Sequence, residues 1–460
     1  MALIKSISGI RGTIGGKPGE SLSPLDIVKF TTAFGTWLQK RHNKQHLNVV
    51  VGRDARRSGK MVNNLVVTSL QSLGINVTDL GLATTPTVEI AVTGTHSDGG
   101  IIITASHNPS EWNALKLLNE DGEFLSSADG SQVLELAAAE DFNFVSDDDR
   151  GSLEFDDSWG KKHIEKVLAM KLVALEEIKA SKFTVAIDCI NSVGGIIVPQ
   201  LLKALGVTEI IELNTTPDGN FSHKPEPIPE NLTDISELVA RRKADVGFVV
   251  DPDVDRLAIV CEDGNMFGEE YTLVSVSDYV LNSTPGNTVS NLSSTKALKD
   301  ITEKHGCKHY AAPVGEVNVV EEMKKCNAVI GGEGNGGVIY PELHYGRDAL
   351  VGIALFLSLL AKRKMKCSSL RQQYPQYVIA KKRLTLDNST EFSKITDAVK
   401  ERFKNNLIDE RDGLWIEHQN GWVQIRRSNT EPIMRIYAEG RTSDEANDLA
   451  GDVIVIVKNL

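Results

Sequence analysis

The run Gly99-Gly100-Ile101-Ile102-Ile103 reads as a buried apolar strand. It ends abruptly in Thr104-Ala105-Ser106-His107-Asn108-Pro109, a hydroxyl and an imidazole side by side at a strand's carboxyl end. In an open α/β sheet the ligand crevice lies beyond those ends, so Ser106 is placed to act as a nucleophile. Serine, asparagine and proline are also ordinary turn residues, and on its own the stretch reads as a capped turn with Pro109 at the first helical position. A second set, Asp251-Pro252-Asp253-Val254-Asp255-Arg256, follows the apolar strand Phe248-Val249-Val250. Three carboxylates at alternate positions repel one another unless a cation joins them or a proton neutralises one. Fully extended, they would stand roughly 7 Å apart, too far to share an ion with oxygen bonds of about 2.1 Å, so the chain is expected to curl here. An EF-hand start has similar spacing, with Glu262 at its twelfth position. Arg256 where that loop needs glycine, and the strand-like Leu257-Ala258-Ile259-Val260, exclude it. Hard oxygen ligands favour Mg²⁺ beside a phosphate; a solvated acidic loop is the alternative.

Other residues are suited to anions and hydroxyls. Ser8-Gly9-Ile10-Arg11-Gly12 sets one guanidinium between glycines that let the backbone approach a ligand, or else forms a surface turn. Lys116 stands inside the apolar segment Asn113 to Leu118; it reads as a side chain that snorkels to solvent, with a cation or proton carrier near Ser106 as the functional alternative. In Gly331-Gly332-Glu333-Gly334-Asn335-Gly336-Gly337, either a hairpin turn or a loop whose Glu333 and Asn335 hydrogen-bond a polyhydroxylated ligand fits. Arg426-Arg427-Ser428-Asn429-Thr430-Glu431-Pro432 packs guanidinium, hydroxyls and an amide into one stretch, as a phosphate clamp does, or as a salt-bridged turn does.

The elements that must position these groups alternate as βαβ units. Helical patterns at Pro24 to Arg41 and Ser58 to Leu73 alternate with strands at Leu47 to Val51 and Val77 to Leu80. A second set has helices Trp159 to Ile178, Val193 to Leu205 and Leu232 to Lys243 around strands Phe183 to Ile187, Glu209 to Leu213 and Val246 to Val250. A third runs from Leu257 to about Cys367, and after a Lys- and Ser-rich hinge the last stretch turns to short strands and a final helix, Asp444 to Val457. Divisions are expected at 1–152, 153–254, 255–368 and 369–460, the first of them beside the acidic run Glu140 to Arg150.

Composition narrows the class. With 460 residues the chain needs several cores, and 41% hydrophobic with 24% charged residues describes a soluble globular protein. A net charge of -12 argues against a nucleic-acid or anionic-membrane surface, so an anionic small substrate must find local basic residues. Five scattered cysteines without a C-x-x-C pair favour reduced thiols, and with no secretory apolar core at the start they point to the cytoplasm. The longest apolar run, Ala349 to Ala361, is too short to span a bilayer and reads as a core helix capped by Asp348.

The arginine loop, T-A-S-H-N-P, D-P-D-V-D-R, G-E-G-N-G-G and R-R-S-N-T-E-P, in that order, resemble the α-D-phosphohexomutase family over essentially the whole chain. The resemblance implies an α/β fold of three similar mixed α/β domains around a central cleft, plus a smaller C-terminal α+β domain. It implies that Ser106 is the phosphoserine, and that Asp251, Asp253, Asp255 and a Ser106 phosphate oxygen hold one Mg²⁺. Arg11, His107 and Lys116 match positions near the transferring phosphoryl group, among which acid–base work falls. Glu333 matches the sugar-hydroxyl contact, with Asn335 beside it, and Arg426, Ser428, Asn429 and Thr430 match the clamp for the other phosphate. The implied activity is a phosphosugar mutase, an isomerase working through a sugar 1,6-bisphosphate, as a monomer or homodimer without nucleic-acid or membrane partners. Asn335, Gly337, Ala114 and Pro252 depart from the common pattern, which touches the sugar preference. Length and the R-x-S-x-T-E-P-x-x-R ending look closest to the bacterial phosphoglucosamine mutase branch. That branch implies glucosamine 6-phosphate to glucosamine 1-phosphate, feeding UDP-N-acetylglucosamine synthesis; mannose or glucose 6-phosphate to 1-phosphate is the alternative. A serine-nucleophile phosphatase has no use for a second phosphate clamp, and a non-catalytic sensor has no need of both Ser106 and the aspartates.

Overall fold

β-Branched isoleucines favour extended backbone, and in the computed structural model Gly99–Ile103 is a strand buried along its whole length. Its side chains alternate: Ile101 and Ile103 enter one apolar cluster with Phe34, Leu38 and Val62, and Ile102 enters another with Val88 and Val92. Truncating Ile103 to alanine would cost about 2–5 kcal/mol. The two glycines that open the strand reflect close packing, since a Cβ at Gly99 would lie 2.8 Å from Leu118 O and one at Gly100 2.7 Å from Val92 Cγ2.

The structure describes residues 3–6, 9–42, 44, 46–385, 391–427 and 433–460. They fall into two compact units, Met1–Thr272 with Asn335–Leu370, and Leu273–Gly334 with Arg371–Leu460. In the first unit a seven-stranded mixed sheet runs in the order Leu3–Ser6, Gly9–Thr13, Trp112–Leu118, Gly99–Ile103, Asn48–Arg53, Asn76–Leu82, Leu153–Phe155. Helices Pro24–His42, Gly59–Ser72 and Thr85–Gly94 cover it. A second sheet has the order Leu257–Cys261, Val246–Val250, Thr184–Asp188, Glu209–Leu213, antiparallel at the first pair and parallel after it. Leu257–Cys261 carries this sheet past the division expected at residue 254. The helix Ala349–Arg363 is buried through to Ala361, with Phe356 edge-on to Phe248 and Phe267. Asp348 caps it, accepting from the Leu350 and Val351 amides.

The single helix expected over Trp159 to Ile178 is instead two, Trp159–Ala169 and Leu175–Ser181. Met170 leaves the helix in an extended conformation, and the freed Ala174 amide donates to Ser358 Oγ at 3.0 Å, a tertiary bond that no local residue signals.

In the second unit, parallel strands His309–Ala312, Thr288–Asn291 and Ile330–Glu333 lie side by side. A five-stranded antiparallel sheet follows, ordered Val378–Thr385, Ile433–Gly440, Gly421–Arg427, Leu414–His418, Ile408–Asp409. Met434, Ile436 and Ala438 alternate toward the core built with helices Phe392–Arg402 and Ser443–Lys458. All five cysteines are free thiols, and no described helix is long and apolar enough to cross a membrane.

Candidate functional site

Ser106 adopts a left-handed backbone (φ 46°), an uncommon conformation for a residue with a Cβ, so its surroundings must hold it. Its amide donates to Thr104 Oγ1 at 3.0 Å, and Thr104 Oγ1 donates to Asp54 Oδ2 at 2.7 Å. Arg56, 1% exposed, completes the support. Its Nε donates to Asp54 Oδ2 at 3.0 Å, Nη1 to the carbonyls of Pro109 and Trp112, and Nη2 to those of Ser106 and Asn108 at 2.5 and 2.7 Å. All five guanidinium N–H groups are thus used, three of them on the serine loop itself and one on the first residue of the strand that follows it. The sequence reading missed both Asp54 and Arg56; the signal was a charged Gly52-Arg53-Asp54-Ala55-Arg56 stretch at another strand's carboxyl end.

Ser106 Oγ donates to Asp251 Oδ2 at 2.7 Å and lies 3.5 Å from His107 Nδ1. Asp251, Asp253 and Asp255 are fully buried and each brings a carboxylate oxygen within 4.8 Å of the others. The curl that gathers them is visible in the backbone. Val254 sits at φ 64°, its amide bonds back to Asp251 O, and Asp251 Oδ1 accepts from the amides of Asp255 and Arg256. Burial, with Asp255 and Asp253 alongside, pushes Asp251 well above the ordinary carboxylate range. Burial also opposes the charge of Asp253, yet Lys116 at 2.7 Å and Thr85 Oγ1 at 2.5 Å hold it below that range.

Lys116 does not snorkel. Its strand Trp112–Leu118 points it at the triad, 2.7 Å from Asp253 Oδ2 and 3.7 Å from Asp255 Oδ2. Burial works against its charge, but the two carboxylates raise it above the ordinary ammonium range. Arg256 Nε lies 3.8 Å from Asp255 Oδ1, and Arg347 Nη2 donates to Asp255 Oδ2 at 2.6 Å. His107, half-buried, is held well below the ordinary imidazole range by Arg256, by burial, and by Arg347, with Arg11 adding to the effect. Among the described residues nothing hydrogen-bonds Asp253 Oδ1 or Asp255 Oδ1. Two orphaned buried carboxylate oxygens in an all-oxygen set suit a hard divalent cation.

The remaining expected residues lie elsewhere in the chain. In the second unit Glu333, 4% exposed, accepts through Oε1 from Asn291 Nδ2 at 2.8 Å and the Gly315 amide at 3.1 Å. Asn335 belongs to the first unit, where its Oδ1 accepts from the Gly337 amide at 3.2 Å. Arg426 stands on the strand Gly421–Arg427 rather than in a loop, its Nε donating to Asp412 Oδ1 at 2.9 Å. Directly across the ladder from it is Arg435, and across from Arg435 is Arg383. Ser428, Asn429 and Thr430 lie outside the described residues.

A mixed α/β architecture in which a serine, three buried aspartates and several cations converge has the groups that phosphoryl transfer needs. Sequence comparison agrees with that chemistry. Residues 3–144, 161–264 and 268–377 match phosphoglucomutase/phosphomannomutase alpha/beta/alpha domains I, II and III, and residues 382–455 match the C-terminal domain of the same family. The chain is 35% identical to a phosphoglucomutase/phosphomannomutase of Thermococcus kodakarensis, covering 95% of this chain and 96% of that one. It is 30% identical to a phosphoglucosamine/phosphogalactosamine mutase of Sulfurisphaera tokodaii over the full length of both. The crystal structure of a phosphoglucomutase/phosphomannomutase family protein from Burkholderia thailandensis superposes with a TM-score of 0.85 at 26% identity, covering 99% of this chain and 97% of that one. The chain belongs to the α-D-phosphohexomutase family, with its three similar domains and smaller C-terminal domain, and is a phosphosugar mutase of the isomerase class.

Proposed function

We propose that this phosphohexomutase interconverts glucosamine 6-phosphate and glucosamine 1-phosphate, with Ser106 carrying the phosphoryl group between turnovers. The observation behind the reading is the 2.7 Å bond from Ser106 Oγ to Asp251 at the triad. In the first transfer the Oγ–phosphorus bond of phosphoserine breaks and a bond forms from phosphorus to the free hydroxyl oxygen of the sugar monophosphate. That hydroxyl's proton is taken up by His107, whose Nδ1 lies 3.5 Å from Ser106 Oγ, and is passed to that oxygen as it leaves, while Lys116 and Arg11 stay charged. The resulting bisphosphate turns over and returns its other phosphoryl group to Ser106 Oγ, and a proton goes back to the oxygen it leaves. Sugar 1,6-bisphosphate is therefore both intermediate and activator.

Mg²⁺ held by Asp251, Asp253, Asp255 and a Ser106 phosphate oxygen would neutralise charge on the phosphoryl group. Lys116, fixed as a cation by Asp253 and Asp255, adds to that neutralisation. Glu333 and Asn335 accept and donate hydrogen bonds to sugar hydroxyls, and Arg426, Ser428, Asn429 and Thr430 grip the phosphate that is not being transferred. A glucose or mannose phosphate as the preferred substrate is the second reading, favoured by the name of the Thermococcus kodakarensis relative. A coupled assay of glucosamine, glucose and mannose 6-phosphates, each with catalytic bisphosphate, separates the two. The highest kcat/KM is expected with glucosamine 6-phosphate, and a higher value with either other sugar overturns the assignment.

A further inference from the structure

Asp255 is the meeting point of three cations, Arg347, Lys116 and Arg256, at 2.6, 3.7 and 3.8 Å. The three aspartates carry at most three negative charges, and these three side chains alone supply as many positive ones. A divalent cation at the triad then leaves two positive charges in excess, which matches a phosphoserine of about two negative charges. Removing one of the three cations breaks that balance in a buried place, where charge imbalance is costly.

Arg347 is delivered to this position by the two residues that follow it. The next amide, Asp348, donates to Val338 O at 2.8 Å, and the one after, Ala349, donates to Val254 O at 3.2 Å inside the metal-binding turn. Asp348 Oδ2 is bonded in turn to His163 Nε2 at 2.8 Å and His344 Nε2 at 3.2 Å, all three residues being buried or nearly so. A Cβ at position 337 would overlap Arg347 Cδ, so the glycine leaves the gap through which the side chain passes.

We propose that Arg347 is a catalytic residue of the phosphoryl-transfer centre, contacting the phosphoryl group as it moves between Ser106 and the sugar, with Gly337 as the gap that admits it. The inference rests on Ser106 being the phosphorylated residue. The test therefore begins with peptide mass spectrometry of the parent, since absence of phosphate from Ser106 removes that reading and this one with it. With phosphate found there, single-turnover transfer from phosphoenzyme to glucosamine 6-phosphate is measured for full-length Arg347→Met and Gly337→Ala in Mg²⁺. Transfer is expected to slow on the order of 100-fold in Arg347→Met, with KM changed by no more than about threefold, and by a smaller factor in Gly337→Ala. The ³¹P resonance of the phosphoserine is expected to move in both variants, a change that a purely structural role would not produce. If folded Arg347→Met transfers within about twofold of the parent and leaves the resonance in place, Arg347 is structural and the inference fails while the phosphoserine stands. Should Arg347→Met not fold, the same measurements on Gly337→Ala decide, and parental transfer with an unmoved resonance again overturns it.

Discussion

Cations are held in two opposite ways in this chain. Around Asp251, Asp253 and Asp255 they are buried against carboxylates: Lys116, Arg256 and Arg347 each lie within 4 Å of an aspartate oxygen. In the C-terminal sheet, Arg383, Arg435 and Arg426 stand directly opposite one another on three neighbouring strands, half-buried to exposed. Like charges facing each other across a ladder destabilise it, and Asp412 at 2.9 Å from Arg426 relieves one of the three. The first arrangement is balanced within itself and would be completed, on the proposed reading, by a divalent cation and a phosphate on Ser106, so it suits positioning. Among the described residues the second is left with surplus positive charge, so it suits capture of a free anion. A mutase needs both, because the phosphate that reacts and the phosphate that anchors must be treated differently within one turnover.

The largest expected effect falls on the first region, where Ser106 carries phosphate on the proposed reading. Ser106→Ala is expected to reduce turnover on the order of a thousandfold or more, with the parent's phosphate mapping to Ser106 by peptide mass spectrometry. A phosphate on another residue with an active alanine variant would leave the buried cations without a purpose. Next in size is Asp253→Asn. Mg²⁺ added to the parent should raise its melting temperature, since a ligand that binds only the folded state stabilises it, and the variant should lose that rise together with most activity. A Mg²⁺ titration in which variant and parent respond equally, in melting and in rate, would make the triad a structural cluster.

Arg426→Ala sharpens the other side. A guanidinium–phosphate bond is worth about 1.5–3 kcal/mol, so KM is expected to rise by roughly 10- to 150-fold. The bisphosphate should also escape before it returns a phosphoryl group to Ser106, which a chase with labelled glucose 1,6-bisphosphate reports directly. Unchanged retention would mean that Arg426 serves only its pair with Asp412.

The two regions also differed in how far sequence revealed them. Ser106 and the aspartates sit in contiguous motifs at strand ends, where periodicity and turn chemistry mark a site. Lys116 was visible as a charge inside an apolar strand, although the strand alone favoured the wrong direction for its side chain. Arg56 and Arg347 were not visible, because what gives them meaning is contact with Ser106, 50 residues along the chain from Arg56, and with Asp255, 92 residues along the chain from Arg347. The break after Ala169 was hidden for the same reason: Ser358, which stabilises it, is 184 positions from Ala174. The row Arg383, Arg435, Arg426 becomes legible only once strand order and register are known, since Arg383 and Arg426 come together through the strand that carries Arg435.

The smallest expected effect concerns an acid on the polar face of that C-terminal sheet. Glu439 alternates with Arg435 and Tyr437 on Ile433–Gly440 and is 1% exposed. Its carboxylate accepts from the Lys296 amide at 3.0 Å, ahead of the helix Ala297–Lys304. Burial pushes Glu439 up to about 7, while Thr295, the Lys296 amide and the Lys296 charge pull the other way. A folded-state value above the unfolded one means that the folded protein binds the proton more tightly. This stability is fully present below the unfolded value of 4.5 and is lost as pH rises through about 7. Melting followed from pH 5 to 8 should therefore show a decline on the order of 1 kcal/mol that Glu439→Gln removes, because the amide stays neutral throughout. Arg426→Ala should leave the same decline in place, since Arg426 and Glu439 face different strand partners, Arg435 and Trp422. If Glu439→Gln keeps the parent's slope, the proton is held elsewhere, and the acid on this face is ionised and paired as Asp253 is with Lys116 in the other region.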